Sequence, residues 1–443
     1  VQPVTSTVEP GAASAVEHSS CRYRARAWWG DRLVAESTAA VRAQEPGQAP
    51  ALYFPRTDVR LDLLQDEGRQ VTCPVKGAGE LWTLDGKAPA PVPEWHAPGH
   101  GGEDDGLVDG RDAVWSFAEP AAGLEWLAGL VAFDHDRVRV ELVDLVDGEE
   151  PREASIKRFP TWGDAADLID IMDVRPAGEL RYVSAIRPSH TRSVVEASQI
   201  LGQAIVAAMR HTAGRRAVSA HLVMYRVADT NHPLEFDLEE LSSGRTFSAL
   251  LVHVSQGGRR RATVNLLLDV TAPGVVAHAA PPPPCAGPYD SEPYDMSVTG
   301  RDLRFVDAAY DNDSAAPVGP PVIDSWLRFR EVPADPALHA GLLAQFTGHI
   351  SIAAALRPHA GVGQDQAHRT LSMGINAIAI SLHADVRADR WMRYHHHSTF
   401  AGDGMTHSEC RVYTEAGELV ASFTVDATLR GVAGRVLDDR TAI

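Results

Sequence analysis

The stretch LLAQFTGHISIAAAL, residues 342 to 356, holds the key to the fold. It has helical length, carries no acid or strong base, and places Ala344, Gly348, Ala353, Ala354 and Ala355 where a neighbouring element can approach the backbone closely. One unbroken helix over AQFTGHISIAAALRPH, 344 to 359, is the expectation. A second stretch of the same kind, QILGQAIVAAMRHT, lies at 199 to 212 with Gly202, Ala204, Ala207 and Ala208. Both precede β-prone runs. After the first come VSAHLVMYRV, LEFDLEEL, FSALLVHVSQ and RATVNLLLDV; after the second, INAIAISLHADV, WMRYHHHST, THSECRVYT and LVASFTVDATLR.

A helix followed by antiparallel strands, twice, in units of about 100 to 120 residues, fits one α+β architecture. A curved antiparallel sheet wraps a helix whose small residues let it lie close, and two such sheets run together as a double hotdog. The predicted bounds are 160–272 for the first hotdog, 273–317 for a proline-rich linker, and 318–443 for the second hotdog. Ahead of them, residues 22–150 alternate YRARAWW, RLVAES, ALYFP and RVRVELV with turn clusters and the long PGHGGEDDGLVDGRD loop, which predicts a small, mostly β domain. Residues 1–21 are expected to be a flexible tail.

Composition narrows the function. The chain has 443 residues, 44% hydrophobic and 23% charged, enough for more than one core and unlike a disordered segment. A net charge of −18 repels phosphate backbones, so nucleic acid is not an expected partner. Only Lys76, Lys87 and Lys157 are lysines, which rules Schiff-base chemistry out of everything after Lys157. Cys21, Cys73, Cys285 and Cys410 stand singly, with neither zinc spacing nor a disulfide framework, and point to a reducing compartment. No apolar run approaches the roughly 20 residues of a membrane span, and no basic-then-apolar leader opens the chain. A cytoplasmic location, no membrane association and no cofactor are the expectations.

Six segments in order, QILGQAIVAA, AVSAHLVMYRVAD, GRTFSALLVHVSQGG, AAALRPH, RADRWMRY and GELVASFTVDATLR, resemble the acyl-CoA thioesterase II (TesB-like) double hotdogs over about residues 163 to 432. WGDRLVAES, LYFPRTDV, TCPVKGAGELW and GLVAFDHDRVRVE resemble the bacterial domain of unknown function 427 over about residues 22 to 142. The first resemblance implies an acyl thioester substrate, acyl-CoA or carrier-bound, and a catalytic Asp on the second hotdog helix, a Thr on the next strand and a Gln on the last. Anchored on Leu356–His359, Trp391 and Leu419–Ser422, those positions fall here on Gly348, Ile375 and Val425.

All three polar groups are therefore replaced, and their neighbours become the candidates. Thioester hydrolysis needs an activated water and donors to the carbonyl oxygen. His349 and Thr347 flank Gly348 on the helix, and Asn376 follows Ile375; these are the candidate catalytic residues, with a backbone-bonded core histidine as the alternative for His349. Thr424 and Asp426 flank Val425 but alternate to the opposite sheet face. Gln203, His221, Arg357 and His359, with Arg369 nearby, are candidate substrate-binding residues; a buried structural amide, a structural histidine and a solvated basic loop are the alternatives. In His395–His397 only the outer two share a face and no third ligand stands at fixed spacing, so no metal is expected. Cys73, Lys76 and Gly77 with Arg56 and Asp58 could form a small polar pocket in the N-terminal domain.

Three functions follow from this pattern. One is hydrolysis of an acyl thioester at a rearranged site. Another is reuse of the cleft for cyclisation, dehydration or rearrangement of a biosynthetic intermediate, where loss of water-activating groups protects the chain. The third is non-catalytic acyl-ligand binding or scaffolding. A homo-oligomer is expected, because hotdog sheets pair between subunits.

Overall fold

The computed structural model describes residues 16–21, 24–44, 51–89, 107–135, 137–144, 152–155, 165–186, 194–230, 232–294, 300–311, 313–367 and 370–431. They fall into two compact units, Val1–Gly163 with Pro188–Thr191, and Asp164–Arg187 with Arg192–Ile443.

The described residues of the first unit form strands and short 3-10 turns. A seven-stranded sheet runs in the order Glu17–Ser20, Val41–Gln44, Ala51–Pro55, Leu130–Phe133, Leu107–Pro120, Gly77–Pro89, Leu64–Cys73, and a four-stranded sheet in the order Arg152–Ser155, Arg139–Asp144, Arg24–Trp29, Arg32–Ser37. Trp29, Phe54, Trp82 and Phe133 fill one core, Tyr53, Phe117 and Leu127 a smaller one. Two expectations need correction. The flexible tail does not reach residue 21, because the backbone of Glu17–Ser20 finds a ladder partner in Val41–Gln44; residues 1–15 lie outside the described residues, as does most of the 98–112 loop. The polar pocket does not assemble either. Arg56 lies over Trp82 at 5.1 Å and Asp58 accepts from Ser37 Oγ at 2.6 Å, whereas Lys76 is drawn over Tyr53 and Phe117, each at 5.7 Å.

The second unit is one thirteen-stranded antiparallel sheet. Its order is Arg175–Gly178, Arg181–Val183, Glu235–Ser243, Phe247–Gln256, Arg259–Asp269, Arg216–Met224, Leu371–Leu382, Leu419–Gly431, Met405–Thr414, Met392–Gly402, Val322–Phe329, Arg301–Phe305, Glu292–Pro293. The halves join where Arg216–Met224 pairs with Leu371–Leu382 in the register Ser219↔Ser381, His221↔Ala379. Its described residues include α1 (Ala165–Met172), α2 (Ala197–His211), α3 (Pro336–Gln345) and α4 (Ser351–Leu356); α2 and α4 pack on the sheet, α3 packs on α2, and α1 touches both α2 and α3. This is the double hotdog. The linker predicted over 273–317 is shorter than that, since RDLRF alternates and adds Arg301–Phe305 to the sheet beside Val322–Phe329, with Pro293 tolerated in the edge strand beyond it.

Sequence explains how the helices meet. Asp335 caps α3 by accepting from Ala337 N–H at 2.9 Å, and Pro336 sets the first helical φ. In the packed pair α2 and α3, a Cβ on Gly202 would stand 2.4 Å from the Gly341 carbonyl oxygen, and one on Gly341 would stand 2.6 Å from Val206 Cγ2. Only glycine fits at this crossing.

The unbroken helix expected over 344–359 is not formed. α3 ends at Gln345, Phe346–Gly348 make a 3-10 turn, and α4 restarts at Ser351. The reason is local: Thr347 Oγ1 donates to the Ala344 carbonyl at 2.7 Å, occupying an acceptor of the helix ladder, and Gly348 lacks helix propensity. Among the described residues no helix is long and apolar enough to cross a membrane.

Candidate functional site

The break between α3 and α4 lies against the start of α2. Glu196 is the N-cap residue of α2, and its Oε2 receives Gln345 Nε2 at 3.3 Å and lies 3.4 Å from His349 Nε2. The His349 ring stacks on Phe346, with centroids 4.9 Å apart and planes at 18°, and Phe346 in turn meets Tyr394 edge-on. Ser198, one residue inside α2, presses its hydroxyl into the space that Gly348 leaves open; a Cβ there would lie 2.6 Å from Ser198 Oγ and 2.8 Å from Ile375 Cδ1.

Three buried polar atoms of this cluster have no hydrogen-bond partner: His349 Nδ1, Ser198 Oγ and Gln345 Oε1. Buried polar groups are nearly always satisfied, so such a concentration marks a place for a water or a ligand group. The Glu196 side chain is 34% exposed while that of His349 is only 11% exposed.

The His349 ring is pulled both ways by its surroundings. Burial pushes its pKa below the ordinary 6.5, the Glu196 carboxylate pulls it back up, Arg301 pushes it down again, and a hydrogen bond to the Gln345 backbone carbonyl raises it. The ring is neutral at pH 7. Glu196 sits at the N-terminus of a fifteen-residue helix. The Glu196 side chain makes no cap hydrogen bond to the first turn of α2.

The remaining predicted residues fall elsewhere. Thr347 is fully buried and spends its hydroxyl on Ala344, a structural role. Asn376 is exposed at a bulge and accepts from Thr428 Oγ1 at 2.8 Å, so it is on the wrong face of the sheet for the His349 cluster. Gln203 ties α2 to α1 by donating to the Ile171 carbonyl at 2.7 Å. Arg357 donates to the Val322 carbonyl at 2.6 Å and His359 is exposed; Arg369 lies outside the described residues. His221 lines a groove of about 720 Å³ on the outer face of the sheet, together with His395, His397 and His407. There His395 Nδ1 meets Asp324 at 3.0 Å and His407 Nδ1 meets Asp426 at 2.7 Å. Among the described residues no group of three His, Cys, Asp or Glu side chains could hold a metal ion.

His396 alternates inward. Its Nδ1 lies 3.2 Å from Ser351 Oγ and 3.5 Å from Cys410 Sγ. Burial lowers the imidazole to about 3 and raises the thiol to about 12, so both groups are uncharged at neutral pH. The residues overlooked in the sequence are Glu196, Ser198 and Gln345. A carboxylate just ahead of the small-residue helix was a readable N-terminal signal, but nothing local linked it to a position about 150 residues away.

A sheet wrapped around paired helices defines the class, and comparison with known proteins refines it. Residues 187–271 match the acyl-CoA thioesterase N-terminal domain and 286–424 the acyl-CoA thioesterase C-terminal domain, while 15–144 match the Domain of unknown function (DUF427). Human acyl-coenzyme A thioesterase 8 is 25% identical over 259 residues, covering 52% of this chain and 79% of that protein. Two mycobacterial structures share the fold at 22% identity and a TM-score of 0.51, covering 60% of this chain. They are a tesB protein of Mycobacterium avium subs paratuberculosis, 99% covered, and the acyl-CoA thioesterase II TesB2 of Mycobacterium marinum, 100% covered. The chain thus joins a domain of unknown function 427 to an acyl-CoA thioesterase-like double hotdog.

Proposed function

We propose that the second unit hydrolyses an acyl thioester, presented on coenzyme A or a carrier protein, with His349 as the general base. The observation that carries this is the His349–Glu196 pair set among three unsatisfied buried polar atoms, inside a fold shared with acyl-CoA thioesterases. The His349 ring takes the proton from the attacking oxygen, Glu196 stabilises the imidazolium that forms, and the first N–H groups of α2 receive the developing charge on the carbonyl oxygen. A base of this kind contributes roughly 10²–10⁴-fold.

The test is a panel of acyl-CoAs of increasing chain length, with released coenzyme A measured by chromatography because Cys285 is exposed and would react with thiol reagents. Wild type is expected to release coenzyme A, and His349→Ala to lose at least a hundredfold in kcat. Release no faster than from heat-denatured protein, or release indifferent to His349, refutes the proposal.

One observation favours a second function. Gly348, Ile375 and Val425 leave no acid, hydroxyl or amide where the family resemblance implies the water-activating groups, and Ile375 Cδ1 fills the space beside Gly348. A cleft so lined suits dehydration, cyclisation or rearrangement of a tethered chain. Mass analysis of the acyl product separates the two, since hydrolysis adds water and frees the acid while the alternative alters the chain and keeps the thioester.

A further inference from the structure

We infer that Arg301 is a positioning residue for His349: its guanidinium, buried against the Phe346 ring on which His349 stacks, holds that stack in place and keeps a second proton off the imidazole. The inference rests on the proposed role of His349 as base and names the group that opposes Glu196.

Arg301 opens the strand Arg301–Phe305, which RDLRF adds beside Val322–Phe329, and it pairs there with Phe329. Gly300 before it has φ +73°, the left-handed conformation that favours glycine, so the chain enters the strand through a tight turn. The side chain reaches inward. Its guanidinium carbon lies over the Phe346 ring, 5.7 Å from the centroid and within cation–π range, and the residue is 2% exposed. A charge so deeply buried is costly to desolvate, and its field is screened far less than that of a surface arginine. Phe346 carries the placement on to the base. Its ring stacks on His349 with centroids 4.9 Å apart, and Tyr394 meets it edge-on at 5.0 Å while donating its own hydroxyl to the Leu343 carbonyl at 3.1 Å. Guanidinium, phenyl ring and imidazole are thus one contiguous set.

The groups around His349 divide by the protonation state they favour. On α2, Glu196 lies 3.4 Å from Nε2 and favours the imidazolium, as does the Gln345 carbonyl at the end of α3. Burial and Arg301 favour the neutral ring. On Met392–Gly402, burial keeps Tyr394 protonated and holds His396 at about 3, so neither is charged at neutral pH. Ser198 of α2 and Ile375 of Leu371–Leu382, which close on Gly348, bring no charge. Among the described residues Arg301 is therefore the cation set against Glu196. A carboxylate alone beside the ring would leave more of it protonated near neutrality, and an imidazolium cannot take a proton from the attacking oxygen.

The experiment uses full-length protein with carbon-13-labelled histidine, identifies the His349 ring signal by its loss in His349→Asn, and follows it with pH beside kcat/KM for an acyl-CoA. Arg301→Gln removes the charge; Arg301→Met removes it while keeping the packing of the stem, so that the test survives if one variant fails to fold. In both, the His349 midpoint should rise, and the ratio of kcat/KM at pH 6 to that at pH 8.5 should fall at least about threefold below wild type, with KM changed less than about twofold. Arg301→Lys keeps the charge and should hold the midpoint closer to wild type. Adding Glu196→Gln to Arg301→Gln should bring the midpoint back down, because the two changes act in opposite directions. An arginine that only filled space would lower the melting temperature without moving the midpoint. A midpoint unmoved in both neutral variants, or moved as far by Arg301→Lys, overturns the inference while leaving hydrolysis through His349 in place. A midpoint that rises as described in a protein that releases no coenzyme A supports the inference and refutes the hydrolytic proposal.

Discussion

Replacing Gly348 by alanine isolates the contact on which the site is built. If residue 348 were an ordinary helix position, alanine would stabilise by about 1 kcal/mol through helix propensity. The structure demands the opposite sign. A Cβ at 348 would stand 2.6 Å from Ser198 Oγ and 2.8 Å from Ile375 Cδ1, both closer than real Cβ contacts allow, and 3.0 Å from Ser198 Cβ, at their tight limit. Two of these atoms are side-chain ends that can retreat, so the cost is that of moderate overpacking, about 1–3 kcal/mol, which lowers the melting temperature by roughly 2–12 °C for a unit of this size. A double-mutant cycle with Ile375→Val sharpens the test, because that change removes the Cδ1 atom involved. Alone it should cost about 0.5–1.5 kcal/mol; on the Gly348→Ala background it should cost at least about 0.5 kcal/mol less. Calorimetric unfolding of the four proteins, with hydrogen exchange in peptides from α2 and Leu371–Leu382 to assign the transition, supplies all the values. A Gly348→Ala protein that melts at or above wild type, or a cycle that is additive, would refute the packing argument and with it the reason Ser198 lies where it does.

The pH dependence of kcat/KM gives an independent check on the base. Since burial holds His349 below its ordinary 6.5, the neutral ring persists into mild acid, and activity should fall only as pH drops through a midpoint under 6.5. Glu196 raises that pKa, so Glu196→Gln should move the acid limb to still lower pH as well as reducing kcat; a limb that rises above 6.5 in the variant would contradict the assignment. At the helix crossing, Gly202→Ala should be worse than Gly348→Ala, because its Cβ would meet the Gly341 carbonyl oxygen at 2.4 Å and backbone cannot retreat as a side-chain tip does. Thermal unfolding of the two variants side by side decides this, and equal melting temperatures would sink it.

Much of the fold was legible in the chain because its signals are periodic and local. Small residues along 199–212 and 342–356 predict helices that pack closely, and the α2–α3 crossing at Gly202 and Gly341 is the consequence. The alternation in HHHST sends His396 inward and His395 and His397 outward by the two-residue repeat of a strand. The break at 346–350 was not legible, because a single glycine is compatible with a helix, and what ends this one is a threonine hydroxyl taking a carbonyl and two distant side chains filling the space. Strand alternation alone places Asn376 on the face opposite Ile375, and the bulge between Ile375 and Ala377 resets the pattern only beyond it.

The sequence by itself determined the architecture, two small-residue helices each wrapped by antiparallel strands behind a β domain, because hydrophobic period and glycine placement act over a few residues. It also put His349 beside a glycine where relatives imply an acid. Only the tertiary structure decided what that histidine can do. Glu196 and Ser198 start one helix and Gln345, Gly348 and His349 end another, and residues about 150 positions apart become neighbours only when the two helices pack at a crossing that tolerates no side chain.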